Sequence, residues 1–321
     1  MYLQLIGGIA VLLAAAEVFI RGAVSLAKIL NVPLLVIGMT IVAIGTSAPE
    51  LMVSLDAALS GAPGIAVGNV VGSNIANVLL ILGVSCVLSP MRGPEGANTR
   101  DGFILMAGSA MFAMLCAHGQ LGLWSGGALF VAFLGFLAST YRTEIKDEEA
   151  IAEHILEVEG MSAIAAPKWA VVMSILIGLT GIIWGADLVV KGGVDVARAC
   201  GVSEEVFGLT VIALGTSLPE LAVCAVAACR GHSDIAVGNV VGSNLFNILG
   251  VAGVVAMVEP LPVSGNILSF DIWVMLVSTA LVLPILAGRW HPARLSGVFF
   301  LALYTGYIGY ICVSTGLLAG N

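Results

Sequence analysis

The chain has 321 residues, of which 59% are hydrophobic and only 10% charged, with a mean hydropathy of +1.08. Soluble domains carry roughly 25% charged residues, so this composition excludes a water-soluble fold and makes lipid the solvent. The formal net charge of −8, without any clustered basic stretch, gives no footing for nucleic acid.

Only helices and closed barrels satisfy their backbone groups in hydrocarbon. The apolar runs here are continuous and about 20 residues long rather than alternating, which predicts helices. In chain order, ten spans are expected near residues 3–28, 34–59, 65–88, 101–118, 122–141, 168–196, 206–229, 235–258, 267–287 and 295–318. The first run, MYLQLIGGIAVLLAAAEVF, lacks a basic n-region and reads as a span, not a removable signal peptide. Between the fifth and sixth spans lies the one polar stretch, Arg142 to Gly160, holding seven of the twenty carboxylates. Its composition predicts a solvated linker. The expected organisation is a first half over 1–141, a polar linker over 142–167 and a second half over 168–321. The six cysteines (Cys86, Cys116, Cys200, Cys224, Cys229, Cys312) are scattered without a CxxC pair and read as small buried apolar residues.

One segment occurs twice. Residues 38–83 and 208–253 align at a constant offset of 170 without a gap, with 26 of 46 positions identical. The identities fall on polar and backbone-breaking residues: Thr46, Ser47, Pro49, Glu50, Gly68, Asn69, Gly72, Ser73, Asn74 and Asn77 are repeated as Thr216, Ser217, Pro219, Glu220, Gly238, Asn239, Gly242, Ser243, Asn244 and Asn247. On the first and sixth spans, Glu17, Arg21 and Lys28 match Asp187, Lys191 and Arg198, with acid and base at i and i+4 able to pair. With the N-terminus outside, ten basic residues lie on or near the cytoplasmic side, and only Lys191 and Arg198 face out. Five spans per half then make the second half enter from the opposite side. The expected fold is an all-α membrane protein of about ten transmembrane helices in two inverted five-helix repeats. Both termini would be outside and the 142–167 linker cytoplasmic.

The repeated residues carry chemistry. Pro49 lacks an N–H and disturbs the helix around Gly45, so carbonyls from about Val42 to Thr46 lose regular partners. Thr46, Ser47 and Glu50 gather on one side, as do Thr216, Ser217 and Glu220. Asn69, Ser73 and Asn77 form a stripe at i, i+4 and i+8, repeated by Asn239, Ser243 and Asn247. Gly68 with Gly72 and Gly238 with Gly242 are small-xxx-small pairs that predict tight helix contacts. Together these supply two carboxylates, six hydroxyls and several amides, an all-oxygen set suited to hard cations such as Na⁺ and Ca²⁺. An ionised carboxylate at the bilayer centre costs roughly 2.5–3.5 kcal/mol on insertion scales, which packing does not explain. The hydroxyls can equally bond back to their own helix, and Asn69, Asn74, Asn239 and Asn244 serve as interhelical glue or as ion contacts.

The blocks GTSAPE…GNVVGSNIAN and GTSLPE…GNVVGSNLFN resemble the α-repeats of the sodium/calcium exchanger family, of prokaryotic type, within the cation/calcium antiporter superfamily. The resemblance covers nearly the whole chain. It implies a ten-helix inverted-repeat antiporter of a bacterial or archaeal plasma membrane, exchanging Na⁺ for Ca²⁺ by alternating access. Na⁺ and Ca²⁺ would be its substrates and the lipid bilayer its surroundings, with no cofactor and no obligatory protein partner. The family's ion-binding glutamates map onto Glu50 and Glu220, its hydroxyl ligands onto Thr46, Ser47, Ser73, Thr216, Ser217 and Ser243, its carbonyl ligands onto Ala43 and Ala213, and a last polar pair onto Asn77 and Asn247. Some members carry Asp where this chain has Asn247, so two carboxylates stand here in place of three, and transport independent of K⁺ is expected. A Ca²⁺/H⁺ antiporter is the nearest alternative, although such proteins carry an acidic residue where this chain has Gly72-Ser73 and Gly242-Ser243. A passive cation channel is a second. An intramembrane enzyme is a third, but His118, His154, His232 and His291 fall in predicted loops or at helix ends, with no nucleophile–base pair in view.

Overall fold

The computed structural model describes residues 2–91, 99–144, 167–199 and 215–314. Its helices are α1 (Tyr2–Leu30), α2 (Leu34–Thr46), α3 (Ala48–Leu59), α4 (Pro63–Leu88), α5 (Thr99–Cys116), α6 (Leu123–Glu144), α7 (Lys168–Ala199), α8 (Leu218–Cys229), α9 (Ser233–Val258), α10 (Ile267–Leu286) and α11 (Arg294–Ser314). Seven of these are long and apolar enough to cross a membrane, and the bent pair α2–α3 makes an eighth. The 142–167 linker and the start of the expected span at 206–229 lie outside the described residues. Two short strands, β1 (Gln120–Leu121) and β2 (Leu261–Pro262), pair antiparallel and tie the turn after α5 to the turn after α9.

The expected span 34–59 is broken. Ser47, with φ −88° and ψ 7°, ends α2, and α3 continues at an angle of 40°. Pro49 is the physical cause, because it has no N–H to give the Gly45 carbonyl and its ring clashes there. Ser217 has nearly the same geometry, φ −86° and ψ 0°, ahead of Pro219. The two repeats also turn alike. Gly61 (φ +81°) and Gly231 (φ +80°) follow α3 and α8 in the left-handed region. The next residues close the same backbone bonds, Ala62 N–H to Ala57 and His232 N–H to Ala227, both 2.9 Å.

Three further departures come from i→i+5 turns, which sequence periodicity does not announce. Gly38–Val42 in α2, Asn77–Leu82 in α4 and Phe246–Val251 in α9 are π-helical, the last two at nearly matching repeat positions. A fourth lies in α10 at Ile267–Asp271. Such turns widen the helix and often mark functional sites.

Close packing follows the glycines. α1 and α7 run antiparallel along their length: Cβ atoms built on Gly192, Gly185, Gly181 and Gly178 would meet Leu5, Leu12, Ala15 and Phe19 at 2.6–2.7 Å. α6 packs antiparallel on α9 through Gly126 and Gly253, and α11 on α4 through Gly297 and Gly83. Gly83 and Gly253 are repeat partners, so the two contacts are counterparts. α4 and α9 form the centre, buried over 78% and 89% of their apolar windows, while α11 is buried over only 11%. The outward faces bear Trp124, Trp169, Trp273, Leu295 and Val298, apolar surface that water would not tolerate but lipid does.

Candidate ion-binding site

The break at Ser47 points α2 and α3 at the middle of α8 and α9. Thr46, Ser47, Glu50, Ser73, Asn77, Thr216, Ser217, Glu220, Ser243 and Asn247 are all buried, the most exposed being Thr216 at 7%. The carboxylates cross between the repeats. Ser47 Oγ lies 2.6 Å from Glu220 Oε1 and 2.9 Å from Ser243 Oγ, and Thr46 also faces Glu220. In return Thr216 and Ser217 of the second repeat face the Glu50 carboxylate, with Ser217 Oγ making no hydrogen bond of good geometry among the described residues. Each glutamate therefore sits against the hydroxyl pair of the opposite repeat. The two carboxylates are near enough to repel each other.

Among the described residues, eight buried side-chain polar atoms have no hydrogen-bond partner. Six belong to residues selected from the sequence: Glu50 Oε2, Glu220 Oε2, Ser217 Oγ, Asn77 Oδ1 and both amide atoms of Asn247. Unpaired buried polar atoms are rare and costly in native folds, and here five of the six are oxygens grouped on the site residues. The other two, Thr140 Oγ1 and His232 Nδ1, lie elsewhere in the sequence. Among the described residues no three His, Cys, Asp or Glu side chains come together, so two carboxylates and neutral oxygens define the chemistry. Hard cations are the ligands such a set favours.

The asparagines divide by role. Asn77 Nδ2 donates to Asn244 Oδ1 at 3.0 Å, and Asn244 Nδ2 to the Asn74 carbonyl at 3.3 Å, joining the repeats. Asn74 bonds back to Val70 at 2.7 Å, and acts as helix glue. Asn239 Oδ1 lies 3.2 Å from Thr46 Oγ1. The Ala43 carbonyl is not freed by Pro49, as it accepts the Ser47 N–H at 3.0 Å; one lone pair remains for an ion, with Thr46 Oγ1 3.4 Å away. Its counterpart Ala213 lies outside the described residues.

The second glycine pair makes the tight helix contact expected of it. Gly238 and Gly242 meet α2 backbone to backbone, a Cβ on Gly238 falling 2.5 Å from the Leu35 carbonyl oxygen. For Gly68 and Gly72, in the same GNVVGSN sequence, the segment that corresponds to this part of α2 falls within 200–214, outside the described residues.

Ion pairs join helices outside the site. Arg21 Nε bonds Glu17 at 2.7 Å and Lys191 bonds Asp187 at 2.7 Å, the expected i, i+4 pairs. Sequence reading missed the third partner: Arg230 grips the same Glu17 with two contacts, 2.7 and 2.8 Å, tying α1 to the turn after α8. The available signal was Arg230 standing where the first repeat has Ser60.

A family model described as sodium/calcium exchanger protein matches residues 1–142 and 170–313. The chain belongs to the sodium/calcium exchanger family. It is 32% identical over 342 residues to the sodium/calcium exchanger MaX1 of Methanosarcina acetivorans, covering 96% of this chain and 97% of that one. It is 33% identical over 312 residues to the inner membrane protein YrbG of Escherichia coli, covering 96% and 95%. Among solved structures it is similar to the sodium-calcium exchanger NCX_Mj soaked with 2.5 mM Na⁺ and 0.1 mM Ca²⁺, with a TM-score of 0.81, 31% identity and coverage of 95% and 96%. The chain is thus a multi-pass membrane antiporter of the cation/Ca²⁺ type.

Proposed function

We propose that this protein exchanges Na⁺ for Ca²⁺ across a bacterial or archaeal plasma membrane by alternating access at one midplane all-oxygen site. The observation that carries the reading is the crossed pair Glu50 and Glu220, whose Oε2 atoms are buried beside the opposite repeat's hydroxyls without hydrogen-bond partners among the described residues. Its ligands are Glu50, Glu220, Thr46, Ser47, Ser73, Thr216, Ser217, Ser243, Asn77 and Asn247, with carbonyls of Ala43 and Ala213.

Coupling follows from electrostatics. Two ionised carboxylates in a water-poor interior are costly, and each repels the other. One Ca²⁺, or at least two Na⁺, relieves both terms, so a loaded site can pass between states while an empty one is held back. That is the requirement for exchange rather than leak, and it distinguishes this reading from a passive channel. No step makes or breaks a covalent bond, so the protein acts as a transporter and not as an enzyme.

The antiparallel α1–α7 register and the paired α6–α9 and α11–α4 contacts support two inverted five-helix halves, 1–141 and 168–321, around a ten-span fold. In that arrangement the termini lie outside and the 142–167 linker is cytoplasmic. Hydroxyl-rich ligation with only two carboxylates favours Na⁺ over H⁺ as counter-ion.

The test is ⁴⁵Ca²⁺ uptake into proteoliposomes driven by an outward Na⁺ gradient, with a proton gradient alone as the control. Wild type should take up Ca²⁺ with Na⁺ only, and Glu50→Gln and Glu220→Gln should each lose uptake. Normal transport by both variants would show the site to be misplaced, and uptake driven by protons alone would reverse the choice of counter-ion.

A further inference from the structure

Behind each glutamate, one helical turn further on, stands a residue that differs between the repeats: Ser54 after Glu50 and Cys224 after Glu220. Both side chains are fully buried, and each receives the NH₂ group of an asparagine from the neighbouring helix. Asn69 Nδ2 donates to Ser54 Oγ at 3.0 Å and to the Glu50 carbonyl at 3.3 Å. Asn239 Nδ2 donates to Cys224 Sγ at 3.2 Å, and the thiol in turn reaches the Ala236 carbonyl at 3.6 Å.

We propose that Cys224, and Ser54 in the matching place, are positioning residues that set ion affinity by fixing the orientation of an asparagine amide behind the site. An amide is planar with its donors and its acceptor at opposite ends. Holding the Asn239 NH₂ at Cys224 therefore turns Oδ1 toward Thr46 Oγ1, 3.2 Å away. The Thr46 hydroxyl has a single proton and, besides the Glu220 carboxylate it faces, two neutral acceptors, Asn239 Oδ1 at 3.2 Å and the Ala43 carbonyl at 3.4 Å. Given to Asn239, that proton leaves both the Thr46 lone pairs and the free lone pair of Ala43 for a cation. With the amide reversed, NH₂ faces Thr46, occupies a lone pair and sends the proton to Ala43. One buried thiol thus governs two ligand oxygens it never touches, as outer partners of metal ligands do.

The chemical difference between the repeats gives the inference its direction. Sulfur is a weak acceptor and a hydroxyl oxygen a strong one, so Asn239 is held less firmly than Asn69. Cys224 to Ser strengthens the hold; Cys224 to Ala removes it and leaves a buried donor unpaired.

This inference rests on the antiport reading, and the experiment separates the two. Na⁺-driven ⁴⁵Ca²⁺ uptake is measured in proteoliposomes of wild type, Cys224→Ser, Cys224→Ala and Ser54→Ala, fitting half-saturation for Ca²⁺ and for Na⁺ separately from the maximal rate. Melting temperature is followed in detergent without ions and with added Ca²⁺. Cys224→Ala should raise half-saturation roughly ten-fold and reduce the Ca²⁺-induced rise in melting temperature, and Cys224→Ser should restore both to wild-type values or better. Ser54→Ala should weaken ion binding in the same way, an independent reading if Cys224→Ala folds poorly. Wild-type half-saturation in both alanine variants, or failure of serine to restore it, overturns the inference alone. A wild type that shows no Na⁺-driven uptake overturns the antiport reading and this inference with it.

Discussion

Gly242 lies where α9 meets α2 backbone to backbone, and this allows a controlled perturbation. At Gly242 a built Cβ would fall 2.6 Å from both the carbonyl carbon and the Cα of Met39, and nearer still to its carbonyl oxygen. These are backbone atoms, so no rotamer change relieves the clash, and α2 must move away from α9. Overpacking of this kind costs about 1–3 kcal/mol. At Gly306, on the exposed face of α11, the same Cβ meets nothing within 4 Å among the described residues. Exchanging glycine for alanine inside a helix gains up to about 1 kcal/mol of propensity, and this gain is common to both sites. The difference between Gly242→Ala and Gly306→Ala therefore isolates the helix contact, at about 1–3 kcal/mol. Thermal unfolding in detergent, followed by tryptophan fluorescence, should place Gly242→Ala several degrees below Gly306→Ala, with Gly306→Ala at or above wild type. Equal melting temperatures for the two variants, or a more stable Gly242→Ala, would refute the backbone-contact argument.

The remaining expectations concern the rim of the protein and its ion selectivity. Arg230→Ser, which copies Ser60 of the first repeat, removes a pair whose side chains are 48% and 22% exposed; stability should fall by at most about 1 kcal/mol, and by less in high salt, as read from melting temperatures. Burial holds the His232 imidazole below its ordinary 6.5; Glu17 opposes this, while Arg230 adds to it. A depressed histidine is neutral when folded, so its stability contribution is complete above about pH 6.5 and declines as pH falls from there through the lower folded value. His232→Gln should remove that decline from a pH series of melting temperatures, and an unchanged slope would exclude His232 as its source. Replacing K⁺ by an inert organic cation at fixed Na⁺ gradient and clamped voltage should leave Ca²⁺ flux unaltered, because Asn77 and Asn247 bring no charge to the site. An absolute K⁺ requirement would contradict that account.

The residues of the site were legible because they are the polar exceptions in an apolar chain and are written twice. Glu50 and Glu220, the flanking hydroxyls and the asparagine stripes needed only helical spacing to be grouped. The crossing of each glutamate to the opposite hydroxyl pair was not legible, since it depends on how α3 and α8 interleave. The π turns at Asn77–Leu82 and Phe246–Val251 were hidden for another reason: NVLLIL and FNILGV are ordinary apolar stretches, and only packing of α4 and α9 in the centre selects the wider turn. Cys224 was read as a buried apolar residue, which its burial bears out, but its role as acceptor for Asn239 required seeing the two helices side by side.

The repeats depart from symmetry outside the ligand residues. Arg230 grips Glu17, whereas the first repeat has Ser60 at that place, and Cys224 stands where it has Ser54. In the antiport proposed above, inverted halves offer a second arrangement of equal covalent cost, in which the contacts of the two halves change places. The one-sided grip of Arg230 would then weigh the two arrangements unequally, while near-identity of the ligand residues would leave the site almost unchanged by the exchange. A symmetric site within an asymmetric frame would let the same ions be bound from either side while the frame decides which side is open.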